Sequence, residues 1–426
     1  MDAPLVMTQI DPHDREALRA WSTPSRAAFL TPAATDADLD DRLAEVGGHR
    51  LTAVHDVVDG GVGGEQRVVA TLRTYDSELT LPGVDPVEVD LVSTATVLPT
   101  HRRRGLLSRM LTADLRRARH AGNVFAALIA AEAPIYGRFG FGPATHATSL
   151  AVENARVRFR PDAPVPAGSL EFVPAGRVEE LSRVHDVTRR ARPAGLLRDA
   201  AWWEAAGRRG AGRWVGPAGH VVLHRDEHGT ADGYVAYDVV DEAVGRVPNG
   251  TVHVGDLAAT NPAAYRALWE FVTSIDLVRT TRAKNRPVDE LLPHLLTDPR
   301  AVQTGPVDDF LWLRVLDVPA ALTARRYLGG GTLVLQVLDP LGLAEATVRL
   351  HVGDPGADGW ACPEVTTTDA APDVVLGVAE LASVLLGGTS PVALHRAGRL
   401  DGTPAAALSL QTLMATPEQP WCPTWF

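Results

Sequence analysis

The residues best able to do chemistry cluster between Val87 and Tyr136. In Arg102-Arg103-Arg104-Gly105-Leu106-Leu107, three arginines lead into a glycine at the expected start of a helix. Glycine lets backbone approach an anion closely. The first amides of a helix have no partner inside it, and guanidinium groups match phosphate oxygens. The segment therefore reads as a pyrophosphate cradle, with a basic surface loop as the plain alternative. Further on, Tyr136 stands in Ile135-Tyr136-Gly137-Arg138-Phe139-Gly140-Phe141-Gly142-Pro143. A phenol, with an ordinary pKa of about 10, is neutral at physiological pH and can serve as a proton donor. A packed aromatic with a bonded hydroxyl is the structural alternative. No Cys or Ser is patterned with His as a covalent nucleophile would require. The 14 histidines lack metal-ligand spacing such as His-Glu-x-x-His, so no metal is expected.

These residues need elements to place them. Val87 to Val97 alternates apolar and polar residues, as a half-buried strand does. Leu106 to about Ala121 puts Leu107, Met110, Leu111, Leu115 and Ala118 on one helical face. Val124 to Ala130 is a second apolar strand. Upstream, Arg50 to Val58 and Gln66 to Asp76 read as strands around Gly60-Gly61-Val62-Gly63-Gly64, a flexible hairpin loop. Three consecutive strands before the basic turn predict an antiparallel meander rather than a doubly wound sheet. Asp36 to Asp41 opens a helix with carboxylates in its first turn, where the macrodipole favours them. That is a solvated helix start, or else part of an acidic substrate mouth.

The Pro-rich stretch Arg160 to Gly168 marks a first boundary. Beyond it a helix is expected over Arg177 to Arg190, and strands over His220 to Arg225, Gly233 to Val240 and Thr251 to Ala258. A helix from Asn261-Pro262 to Leu277 follows, repeating the order of the first unit. Ala258-Ala259-Thr260-Asn261-Pro262-Ala263 stands where the basic glycine turn would be, so this copy offers fewer amides to a pyrophosphate. From about Val315 the composition changes: Leu333 to Asp339 and Ala346 to Val352 read as strands, and Val374 to Leu386 as a helical run. The tail Pro420-Trp421-Cys422-Pro423-Thr424-Trp425-Phe426 is too apolar to float free in water.

Bulk properties narrow the function classes. A net charge of −11 argues against nucleic acid as main partner and is compatible with a cationic substrate. With two cysteines, Cys362 and Cys422, and no secretory signal pattern, a reducing cytoplasm and free thiols are expected. No run of apolar residues is long enough to span a membrane. Lys284 is the single lysine, which reflects coding bias more than any surface.

Pro99-Thr100-His101-Arg102-Arg103-Arg104-Gly105-Leu106-Leu107 followed by Ile135 to Thr145 resembles the Eis-type ("enhanced intracellular survival") branch of the GCN5-related N-acetyltransferases (GNAT). The resemblance implies an α+β chain of two tandem GNAT domains, residues 1–155 and a degenerate copy at 156–314, then a sterol-carrier-protein-like domain at 315–426. It implies acetyl-CoA as acyl donor. Ala95, Thr96 and Val97 would pair with the pantetheine arm as an added strand, the Val97 amide polarising the thioester carbonyl. Arg102, Arg103, Arg104, Gly105, Leu106 and Leu107 would hold the pyrophosphate. Tyr136 takes the family's general-acid role, and the α-carboxylate of Phe426 the general-base role, directly or through water. Ala131 stands where the family often has a serine near the CoA thiol end, and Trp425 where an acidic residue can line the amine pocket. Acceptors of the family type are aminoglycoside amino groups and lysine side chains, with another polyamine or metabolite amine as the alternative, and the family assembly is a hexamer. The fold name alone does not carry a lipid-binding role to the third domain. A non-catalytic acyl-CoA or lipid-binding protein is the competing class, and the basic turn with Tyr136 argues against it.

Overall fold

The computed structural model describes residues 5–57, 66–174, 177–208 and 219–426. The glycine-rich loop expected at Gly60 to Gly64 lies outside the described residues. Strands β1 (Leu5–Ile10), β2 (Arg50–Val57), β3 (Gln66–Leu79), β4 (Val87–Val97) and β5 (Phe125–Ile129) lie side by side in that order. β1 to β4 are joined antiparallel and β4 to β5 parallel. β1 was not foreseen from the sequence. Helices α1 (Arg15–Ala28) and α2 (Asp36–Val46) separate β1 from β2. α2 starts with a capping box between Thr35 and Asp38. Its acidic first turn is used locally: Asp36 and Asp40 pair with Arg15, and Asp36 also with Arg19. This fits the solvated helix start rather than an acidic mouth.

α3 (Leu106–His120) crosses from β4 to β5. It buries Leu106, Met110, Leu111, Leu115 and Ala118 against the sheet, while Leu107 is half-buried. Asp114 is buried with them, for a reason that appears only in the fold. It accepts from Thr74 Oγ1 at 2.9 Å and Arg117 Nε at 3.0 Å, facing Asp90 of β4, which accepts from Arg50 and, at 2.7 Å, from Arg117. Burial and the facing Asp114 hold the Asp90 carboxyl well above the usual carboxylate range.

The second unit repeats the plan. Its sheet contains Ser169–Val173, His220–Arg225, Ala231–Val240, Gly250–Ala259 and Val278–Pro287, with helix Pro262–Thr273 between the last two. The two units exchange strands. His146–Glu153, which follows the first unit, lies in the second sheet between Val278–Pro287 and Val302–Asp309. Leu311–Val315, which ends the second, lies in the first sheet against β5, with Leu311 opposite Ile129. The linear division at 155/156 and 314/315 cuts across this exchange.

The third unit is a five-stranded sheet with helices. Val374–Gly377 is not helical: it pairs in parallel with Gly331–Leu338, and the helix covers only Val378–Leu385. A continuous apolar run cannot be told from a buried strand by periodicity alone. This helix packs on Gly142, where a Cβ would overlap Ala379 O and Ser383 Oγ. Arg314 of the exchanged strand is buried in a 2.6 Å ion pair with Asp339 of the third unit. The third unit is thus pinned beside the turn that carries Tyr136.

Candidate active site

β4 and β5 begin as parallel neighbours, Val89 to Leu91 facing Phe125 to Ala127, and pair no further. The divergence has a local cause. The β3–β4 register moves by one residue between Thr71↔Thr96 and Arg73↔Ser93. Thr94 sits in the extra position at φ 50°, and Thr71 Oγ1 donates to its carbonyl at 3.1 Å. Such a bulge bends the strand and re-aims its backbone. Leu98 N donates to Val69 O at 2.9 Å, so by strand alternation the Val97 N–H projects the other way, toward the side on which this part of β4 has no partner strand among the described residues. Ala95 and Val97, both half-buried, therefore lie along an unpaired strand edge able to accept an extended ligand. Thr96 is buried, its hydroxyl 2.6 Å from Thr71 Oγ1.

At the end of β4 the chain makes a short 3₁₀ turn, Pro99–His101, held by His101 Nε2 against Asp56 at 2.9 Å. Arg103 (φ 63°) and Gly105 (φ 75°) then take left-handed conformations and launch α3. Gly105 is the N-cap and no side chain among the described residues caps the helix, so its first amides have no partner there. Arg102 and Arg103 are exposed and make no ion pair among the described residues. An open strand edge leading to an uncapped helix start flanked by cations fits a pantetheine arm ending in a pyrophosphate. The corresponding helix of the second unit differs: Asn261 Oδ1 accepts from the amides of Ala263 and Ala264 at 3.0 and 2.9 Å.

Across the opening, β5 leads through exposed Ala131 and Glu132 into a one-turn helix, Ala133–Tyr136. Tyr136 is buried, edge-on to Phe141 at 6.3 Å between ring centres. Its hydroxyl makes no hydrogen bond among the described residues. Burial, and next the nearby Glu132 carboxylate, raise its pKa and keep the phenol protonated. Tyr136, Leu106, Leu107, Ala95 and Val97 pack on one apolar cluster, so residues far apart in the chain meet there.

The tail arrives on the β4 side. Phe426 is buried in the core that also holds Leu91 and Ala127. Ser93 Oγ donates to Phe426 O at 3.3 Å, and Arg73 Nη2 donates to Ser93 Oγ at 3.3 Å. The Tyr75 ring meets Phe426 edge-on at 6.5 Å and carries His49 stacked on it at 4.0 Å. Burial, then Arg73, lowers the His49 pKa to about 3, so this imidazole is neutral and a poor base. Glu45 balances Arg73 at 3.0 Å. Trp425 alone in the tail's last residues is largely exposed, 5.7 Å from Phe310. Ser93, Arg73, Tyr75, His49 and Glu45 escaped sequence reasoning, because nothing local marks residues whose partner is the far end of the chain.

Comparisons with known proteins agree with this architecture. Models described as acetyltransferase (GNAT) domains match residues 13–144 and 194–315, and a sterol carrier protein domain matches 318–423. An uncharacterized N-acetyltransferase of Streptomyces avermitilis is 42% identical over 84% of this chain and 86% of its own. The N-acetyltransferase Eis of Mycobacterium bovis is 35% identical over 81% of this chain and 82% of its own. The crystal structure of Eis1 from Mycobacterium abscessus aligns with a TM-score of 0.81 at 30% identity, covering 99% of this chain and 100% of that one. These likenesses set aside the non-catalytic binding protein. The chain belongs to the Eis-type family of GCN5-related acetyltransferases and is an acetyl-CoA-dependent N-acetyltransferase.

Proposed function

We propose that the protein transfers acetyl directly from acetyl-CoA to a primary amine, of the aminoglycoside type or a lysine side chain. Phe426 supplies the base and Tyr136 the acid. The observation that carries this reading is the seating of Phe426, whose carboxyl oxygen is bonded to Ser93 on the same strand whose later edge lies open. The carboxylate takes a proton from the substrate ammonium. The freed amine attacks the thioester carbonyl carbon, whose oxygen is stabilised by the Val97 amide. The C–S bond breaks, Tyr136 protonates the thiolate, and the second proton of the attacking nitrogen returns through water to the tyrosine oxygen. The products are an N-acetyl amine and CoA thiol, with one net proton released to solvent. Amides of the turn from Arg102 to Leu107 hold the pyrophosphate, and Ala131 lines the thiol end without a hydroxyl. The bulk of Trp425 narrows the amine mouth.

In this reading residues 1–155 carry the reacting centre, 156–314 shape the substrate side, and 315–426 deliver the carboxylate. The enzyme works in the cytoplasm as a homo-oligomer, a hexamer by likeness to its family, which light scattering on the purified protein checks. CoA release followed with a thiol reagent across aminoglycosides, lysine peptides and metabolite amines tests the transfer. Tight acetyl-CoA binding without turnover on any amine contradicts it. Two glycines appended after Phe426 should depress kcat strongly, and a fully active extended enzyme removes the terminal base.

A further inference from the structure

The second GNAT unit has its own pair of diverging parallel strands. Gly250–Ala259 and Val278–Pro287 pair from Gly250↔Val278 to Val254↔Ala283 and no further. In the first unit the equivalent gap begins beyond Leu91 and Ala127. In the second it is filled by the chain's own tail. Trp421 and Pro423 sit against residues Val254 to Leu257 and Lys284 to Arg286, with only about 20 Å³ of space remaining, room for no more than a single water. Trp421 Nε1 donates to Asn285 O at 2.9 Å, and Asn285 Nδ2 donates to Cys422 O at 3.1 Å. The Arg286 guanidinium lies 5.2 Å from the Trp421 ring centre.

The next contacts come from Arg198, which is 4% exposed. Its Nη2 donates to Pro423 O at 3.1 Å and its Nε to Thr424 Oγ1 at 3.2 Å. The guanidinium is fixed in turn by Asp256 Oδ2 at 2.5 Å and Tyr234 Oη at 3.2 Å, and by the Trp202 ring at 4.4 Å. Trp202 Nε1 donates to Trp425 O at 3.3 Å. The following residue is Phe426, on Ser93. A planar fork making two bonds to a tail segment, itself oriented by a carboxylate, sets position as a single-point cation cannot.

We propose that the cleft of the second unit is a seat for the C-terminal tail, and that Arg198 is the positioning residue that fixes where the Phe426 carboxylate lies. The inference rests on the reading of that carboxylate as base. The tail takes the place between the diverging strands that a pantetheine arm takes in the first unit, so the second cleft is closed to cofactor.

The test compares Arg198→Gln and the milder Trp202→Phe, each in the full-length enzyme and in the enzyme extended by two glycines. Arg198→Gln should lower kcat on the order of 100-fold, with acetyl-CoA affinity by calorimetry within twofold of wild type, and Trp202→Phe roughly tenfold. In the extended background, where the carboxylate is already displaced, each should add less than threefold. If extension impairs turnover but Arg198→Gln and Trp202→Phe leave kcat unchanged, or multiply the loss in the extended enzyme, the positioning inference is overturned and the base stands. If the extended enzyme keeps full turnover, the base reading fails instead. Should Arg198→Gln not fold, Trp202→Phe decides alone by the same criterion.

Discussion

Replacing Tyr136 with Phe isolates one oxygen atom. The hydroxyl has no hydrogen-bond partner among the described residues, so its removal orphans no buried group. The ring keeps its edge-on contact with Phe141 at 6.3 Å. Stability should therefore stay within ~0.5 kcal/mol of wild type, and acetyl-CoA affinity should not move. Loss of a positioned general acid costs on the order of 10²–10⁴ in rate, which is about 3–5.5 kcal/mol of barrier. The acid works only in its protonated form, present below its pKa. Because burial and Glu132 push that pKa upward, the wild-type rate should hold across the neutral range and fall only at strongly alkaline pH. The assay is CoA release followed with a thiol reagent, with melting temperature and acetyl-CoA calorimetry as controls. A variant with kcat within threefold of wild type refutes the reasoning, whatever its affinity.

Other outcomes follow from the same geometry. Gly105→Val places a β-branched residue at φ 75°, which should strain the turn by ~1–2 kcal/mol and weaken acetyl-CoA binding more than it slows turnover at saturation. Gly142→Ala should drive the helix Val378–Leu385 off the first unit, at a cost of about 3 kcal/mol. It should lower both melting temperature and kcat, because the tail depends on that docking. Asp114→Asn removes the like charge facing Asp90. Since the folded Asp90 pKa is raised, its contribution is full below the unfolded value of about 3.9 and is lost as pH rises through the folded one. The wild-type melting temperature should thus decline from acidic to mildly alkaline pH, and the variant's should decline less.

Much of the fold was legible because local pattern and tertiary role coincide in it. β4 alternates, α3 has one apolar stripe, and both were placed to within a residue or two. β1 was missed because Leu5 to Ile10 is half exposed and shows little alternation. The strand exchange was invisible for another reason: His146–Glu153 was not read as a strand, and even a strand's local pattern does not say which sheet it joins. Val374–Gly377 was misjudged because a continuous apolar run has no polar alternation from which to read a period. In the site, Tyr136 and the tail could be singled out by motif and apolarity. Ser93, Tyr75 and Arg73 could not, since their significance exists only once Phe426 is seated. Arg198 looked like any other arginine in a chain whose bases are nearly all arginine.

The traded strands bear on how the protein comes into being. A ribosome that has made residues 1 to 150 has produced a sheet whose β5 edge still lacks its neighbour, since Leu311–Val315 is not yet synthesised. A gene fragment encoding either copy alone carries one strand belonging to the other and lacks one of its own. Neither half, cut out by sequence alone, contains its complete sheet.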